Sequence, residues 1–214
     1  KSPDQYAEIL AVRRVHPDRL SRNPNLNKYL NPTGQRVYPL PTSLAIHNYR
    51  TGTTGGLILF TEGYFKALAL SLHGVESVAY TGITLFKLTP DIKEYLSKRK
   101  PDQVVISFDA DATDLWGSMT AQDEVTSKRV ENFYNSARKF AGALIEFFEE
   151  EELSTKVYFQ VVDPDTGHKG IDDLINAADD KSTIVNELTA LDKCKRFFQC
   201  FRLAKTTYVK RLKS

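Results

Sequence analysis

Leu57-Ile58-Leu59-Phe60-Thr61-Glu62-Gly63 is the stretch on which the reading of this chain turns. Five uncharged, mostly apolar residues end abruptly in a carboxylate and a glycine. A short run that is apolar at successive positions suits a strand covered on both faces, as in a parallel sheet. Beyond Gly63 the period changes: Phe65, Leu68, Ala69 and Leu72 share one side of a helix over 64–73, with Gly74 placed to end it. The unit then recurs. Ser77 to Thr81 reads as a second strand. Thr89 and Pro90 open a helix over 90–100 as cap and first-turn residue. Val104 to Phe108 reads as a third strand running straight into Asp109. A loop over 112–124 precedes a long helix over 125–150, marked by Phe133, Ala137, Phe140, Leu144 and Phe148. Lys156 to Val162 reads as a fourth strand, 163–167 as a turn and 171–178 as a short helix. Strands separated by helices predict a doubly wound α/β fold around a mainly parallel four-stranded sheet.

Outward from this core the composition shifts. Residues 1–55 form an arm rich in proline and turns, 56–180 the α/β domain, and 181–214 a basic amphipathic helical segment. In that last segment positions 194, 197, 198, 201, 204, 208 and 212 trace one apolar face at helical spacing. The net charge of +2 hides an asymmetry: residues 1–50 carry +5, 193–214 carry +8, and 51–192 carry −11. An acidic middle between basic ends fits an acidic site flanked by surfaces for an anionic polymer, although charge runs are as often solvated faces. No apolar run is long enough to span a bilayer and no secretory pattern opens the sequence, so no membrane partner is expected. Cys194 and Cys200 form neither a disulfide framework nor a zinc motif, which points to a reducing, cytoplasmic setting. A start at Lys1 suggests a piece of a longer protein.

In a sheet of this kind ligands bind beyond the carboxyl ends of the strands. Three of the four strands lead to acids there: Glu62, then Asp109-Ala110-Asp111, then Lys169-Gly170-Ile171-Asp172-Asp173. In an extended Asp-x-Asp both carboxylates lie on one side. Carboxylates gathered at one rim repel unless a cation joins them, and Mg²⁺, a hard ion, takes such oxygens. Each piece alone is weak, because aspartates at strand ends are commonly caps or turn formers. Their order along the chain is what carries weight.

That order resembles the three motifs of Toprim domains, found in primases, type IA and type II topoisomerases and nucleases. The matching stretches are Glu62-Gly63-Tyr64, Phe108-Asp109-Ala110-Asp111 and Lys169-Gly170-Ile171-Asp172-Asp173-Leu174. The likeness is nearest to the primase and primase–helicase branch. Lys28-Tyr29-Leu30-Asn31-Pro32-Thr33-Gly34 also resembles a stretch found ahead of Toprim-like domains in phage and plasmid replication proteins. The resemblance implies Glu62 as general acid/base and Asp109, Asp111, Asp172 and Asp173 as ligands of Mg²⁺, for which Mn²⁺ can substitute. It implies nucleotidyl transfer on nucleic acid, with single-stranded DNA and nucleotides as partners and a helicase or other replication domain alongside. Lys66, Lys169, Arg196 and Arg202 are the expected phosphate contacts. Two alternatives use the same residues: a Toprim nuclease cleaving DNA or RNA, and a non-catalytic binding module. Three departures bear on them. Lys66 stands where primases carry an acid, an insertion beginning Ala112-Thr113-Asp114-Leu115-Trp116 follows the second motif, and Asp163-Pro164-Asp165 competes for the role of the third.

Overall fold

The computed structural model describes residues 13–14, 17–23, 29–30, 39–110, 124–191 and 196–203, with the backbone alone at 13–14, 17, 20, 29–30, 83 and 124–134. The chain divides into two compact units, Lys1–Tyr38 and Pro39–Ser214. In the first unit β1 (Arg13–Arg14) pairs antiparallel with β2 (Tyr29–Leu30), with α1 (Pro17–Arg22) between them in sequence. Pro17 presets the first turn of α1, and Arg19 and Arg22 close it where the helix dipole favours cations.

The second unit runs β3 (Leu40–Pro41), α2 (Ser43–Thr51), β4 (Leu57–Glu62), α3 (Tyr64–Leu72), β5 (Ser77–Tyr80) and α4 (Pro90–Arg99). It continues with β6 (Gln103–Phe108), α5 (Glu124–Glu150), β7 (Lys156–Val162), α6 (Ile171–Ala177), α7 (Lys181–Thr189) and β8 (Phe198–Leu203). One sheet takes all six strands in the order β3-β5-β4-β6-β7-β8. The inner four, β5, β4, β6 and β7, are parallel; β3 and β8 are antiparallel to their neighbours. The architecture is therefore α/β with a six-stranded mixed sheet, in place of the four-stranded, mainly parallel one expected.

The two added strands have distinct causes. β3 is only two residues, too short for any periodicity, and is fixed by Thr42, whose backbone N and Oγ1 both donate to Ser77 O at 3.1 and 2.9 Å. β8 replaces part of the expected basic amphipathic C-terminal helix. Phe198 and Phe201 fit helical spacing, but with Leu203 they also fit a strand covered on both faces. Phe198 and Cys200 pack into one layer of core, Phe201 and Leu203 against the other. Pairing with β7 along six residues satisfies backbone groups that a helix would leave open at the sheet edge. Glu187 guides the chain in: its Oε1 accepts from the backbone N of Arg196, Phe197 and Phe198 at 2.9, 2.7 and 3.3 Å.

Helices cover both faces. On one, Ala45 of α2, Ile92 and Leu96 of α4 and Phe140 and Leu144 of α5 pack on Ile58, Phe60, Ile106 and Phe159. On the other, Leu70 of α3, Leu174 and Ile175 of α6 and Leu188 of α7 pack on Leu59, Val105 and Tyr158. Thr89 caps α4 as the sequence suggests, its Oγ1 accepting from Ile92 N at 3.4 Å, with Pro90 in the first turn.

At the amino ends of the strands lies a buried charged network. Glu76 and Arg99 are 5 % and 2 % exposed. Glu76 Oε1 accepts from Arg99 Nε at 2.8 Å and from the Tyr95 hydroxyl; Oε2 accepts from Arg99 Nη2 and from Asn48 Nδ2 at 2.6 Å. Two further guanidinium hydrogens reach the carbonyls of Thr53 and Gly55. Burial, then the adjacent Glu76 carboxylate, hold the Tyr95 hydroxyl well above the usual tyrosine range, so it remains a donor.

Candidate functional site

Along the chain the four parallel strands are first β4, second β5, third β6 and fourth β7, so their spatial order is second, first, third, fourth. The winding direction reverses between β4 and β6, and in open α/β sheets the crevice beyond the carboxyl ends at that reversal receives the ligand. β4 ends in Glu62 and β6 runs into Asp109. Thr61 pairs with Ser107, so the two acids emerge at neighbouring heights. Strand alternation puts half-buried Glu62 on the side of Phe60 and Asp109 on the side of Val105. The two acids thus flank the crevice from opposite faces of the sheet.

A single residue, Gly63, joins β4 to α3. Its φ of 95° lies in the region that favours glycine, and its N–H donates to Tyr80 O at 2.7 Å. This tight turn places Lys66 in the first turn of α3, above the end of β6. There Lys66 Nζ donates to Asp109 Oδ1, with the side chains 17 % and 9 % exposed.

Asp172 arrives from a third element. Ala110 N donates to Lys169 O at 2.8 Å, tying the segment before α6 to the end of β6. Gly170, buried between them, has no room for a side chain. A Cβ there would stand 2.7 Å from Asp172 Oδ1, 3.1 Å from Lys66 Cε and 3.3 Å from Asp109 Oδ1. Three side chains from three elements therefore close over one residue that has none. Asp172 Oδ1 is buried and has no hydrogen-bond partner among the described residues, and the same holds for Thr81 Oγ1 just past β5.

The other residues singled out in the sequence fall elsewhere. Asp173 is exposed, as is Lys169, whose carbonyl is used by Ala110. Arg196 is exposed with its guanidinium 4.7 Å from the Phe197 ring centroid, and Arg202 is exposed on β8 in register with Tyr158. Lys66, read above as a phosphate contact, is bonded to Asp109 in this arrangement. Asp163 serves a turn: Oδ1 accepts from Asp165 N at 2.9 Å and Oδ2 from Gln199 Nε2 at 3.1 Å. Asp111, Trp116, Cys194 and the expected helical positions beyond 203 lie outside the described residues.

Among the described residues no group of three or more His, Cys, Asp or Glu side chains is placed to hold a metal ion. Two carboxylates do converge, one with a buried oxygen lacking a partner. That donor set fits Mg²⁺, which binds through one or two carboxylates and fills its remaining positions with water and phosphate oxygens.

The Glu76–Arg99 network was missed from the sequence, though a signal exists. Ile92, Tyr95, Leu96 and Arg99 share one buried helical stripe, and an arginine on such a stripe needs a buried partner. Among the described residues no helix is long and apolar enough to cross a membrane. No protein-family model, curated protein or solved structure matches the chain.

Proposed function

We propose that this chain is a Toprim-like module performing cation-assisted phosphoryl or nucleotidyl transfer on nucleic acid, within a phage- or plasmid-type DNA replication protein. The observation that carries this reading is the convergence of Asp109 and Asp172 over Gly170 at the reversal of the sheet, where the neighbouring strand β4 ends in Glu62. A divalent cation bound there would supply Lewis acidity toward a phosphate oxygen. Asp109 and Asp172 would present the hard oxygens, joined by Asp111. Glu62, on the opposite flank, is free of that duty and would exchange the proton of the attacking or leaving hydroxyl. Exposed Lys169, Arg196 and Arg202 offer charge to a phosphate backbone, which would make binding salt-dependent.

Primer synthesis on single-stranded DNA with labelled nucleotides, run beside a nicking assay in Mg²⁺ or Mn²⁺, tests the proposal and separates polymerisation from cleavage. Glu62→Gln and Asp109→Asn should each lower the observed rate by about 10²-fold or more. Wild-type rates in both variants would remove the roles assigned here. The Lys66–Asp109 bond favours one other reading, a binding module in which that pair is purely structural. It predicts single-stranded DNA binding without product in either assay.

A further inference from the structure

Asp109 and Asp172 both direct an oxygen to within 3.3 Å of one point above Gly170, yet only one of them is neutralised. The Lys66 ammonium bonds Asp109 Oδ1, while Asp172 Oδ1 is buried without a hydrogen-bond partner among the described residues. A lysine makes this incomplete arrangement possible. Its ammonium is a point charge on a flexible stem, whereas an arginine fork would bridge oxygens and hold them. The stem of Lys66 packs over Gly170 through Cε, so the head can change partner while the stem stays in place.

We propose that Lys66 is a resident counter-cation that gates this site, and that it must release Asp109 before a divalent cation can take Asp109 and Asp172 together. This rests on the rim being a cation site, as argued above. In the cation-free protein Lys66 keeps the paired carboxylates from repelling one another. When a divalent cation arrives, two positive charges compete for one carboxylate, and the weaker, monovalent one yields. The displaced ammonium then faces the crevice, where it meets an incoming phosphate. Cation and phosphate therefore favour each other's binding, and by linkage the effect is mutual.

The test uses the full chain with Mn²⁺ as probe, free Mn²⁺ being read by electron paramagnetic resonance. Wild type is compared with Lys66→Met, Lys66→Gln and the double variant Lys66→Met/Asp109→Asn. Removing an adjacent unit charge should tighten Mn²⁺ binding roughly tenfold or more in both single variants, and the double variant should lose that gain. Thermal melting gives the second readout. In chelator, Lys66→Met should melt below wild type, and Mn²⁺ should restore it, whereas the same Mn²⁺ should move wild type little. Tight binding by wild type, with the Lys66 variants no tighter, would overturn the gate and leave the cation site standing. No binding by any of the proteins would overturn the cation site and the gate with it.

Discussion

The same strands carry an ion pair at each end, and the two pairs are built to different standards. At the amino ends, Glu76 and Arg99 are joined through two parallel contacts, and Asn48, Tyr95 and two backbone carbonyls make four more hydrogen bonds to the pair. At the carboxyl ends, Lys66 and Asp109 share one bond, and the neighbouring Asp172 keeps a buried oxygen with no partner among the described residues. Buried charge survives folding only when its hydrogen-bonding capacity is met. The first pair meets that condition and fixes how α2 and α4 sit against the strand starts. The second falls short of it at the place where an α/β sheet receives its ligand. Completeness separates a lock from a site.

Three substitutions probe this contrast. Arg99→Met leaves Glu76 buried with two of its donors gone, and chemical denaturation should register a loss of about 3–5 kcal/mol. A loss below about 1 kcal/mol would mean the lower network is no lock. Gly170→Ala comes next. Its Cβ would meet Asp172 Oδ1 at 2.7 Å, and such overpacking costs about 1–3 kcal/mol. A neutral result would show that the three side chains above Gly170 part easily. Asp172→Asn should have the smallest effect, leaving stability within about 0.5 kcal/mol of wild type, because no hydrogen bond to Oδ1 is lost. A large loss there would reveal a partner and erase the difference between the two ends.

The inner sheet was legible because each central strand is a compact apolar run with a charge or turn at its end. Leu57–Glu62 and Gln103–Phe108 fall within a residue of their expected limits. β8 was not, since Phe198 and Phe201, spaced for one helix face, also serve a strand with core on both sides. Gly170 was visible only as one residue of Lys169-Gly170-Ile171-Asp172-Asp173, and the crowding above it accounts for a residue without a side chain there. The Lys66–Asp109 pair was not, because its partners lie 43 residues apart and meet only once β4 and β6 become neighbours. Arg99 was hidden by its company: in Lys98-Arg99-Lys100 it reads as one more solvated charge, and only its place on the buried stripe of α4 sets it apart.

The reversed strand β3 has a bearing on solubility. A sheet whose last strand is long and regular offers its free backbone groups to any other extended chain, and so invites stacking into aggregates. Here that margin is two residues long, and the second, Pro41, has no N–H to give. A foreign strand arriving at this end would find almost nothing to pair with. The sheet stops growing by running out of donors.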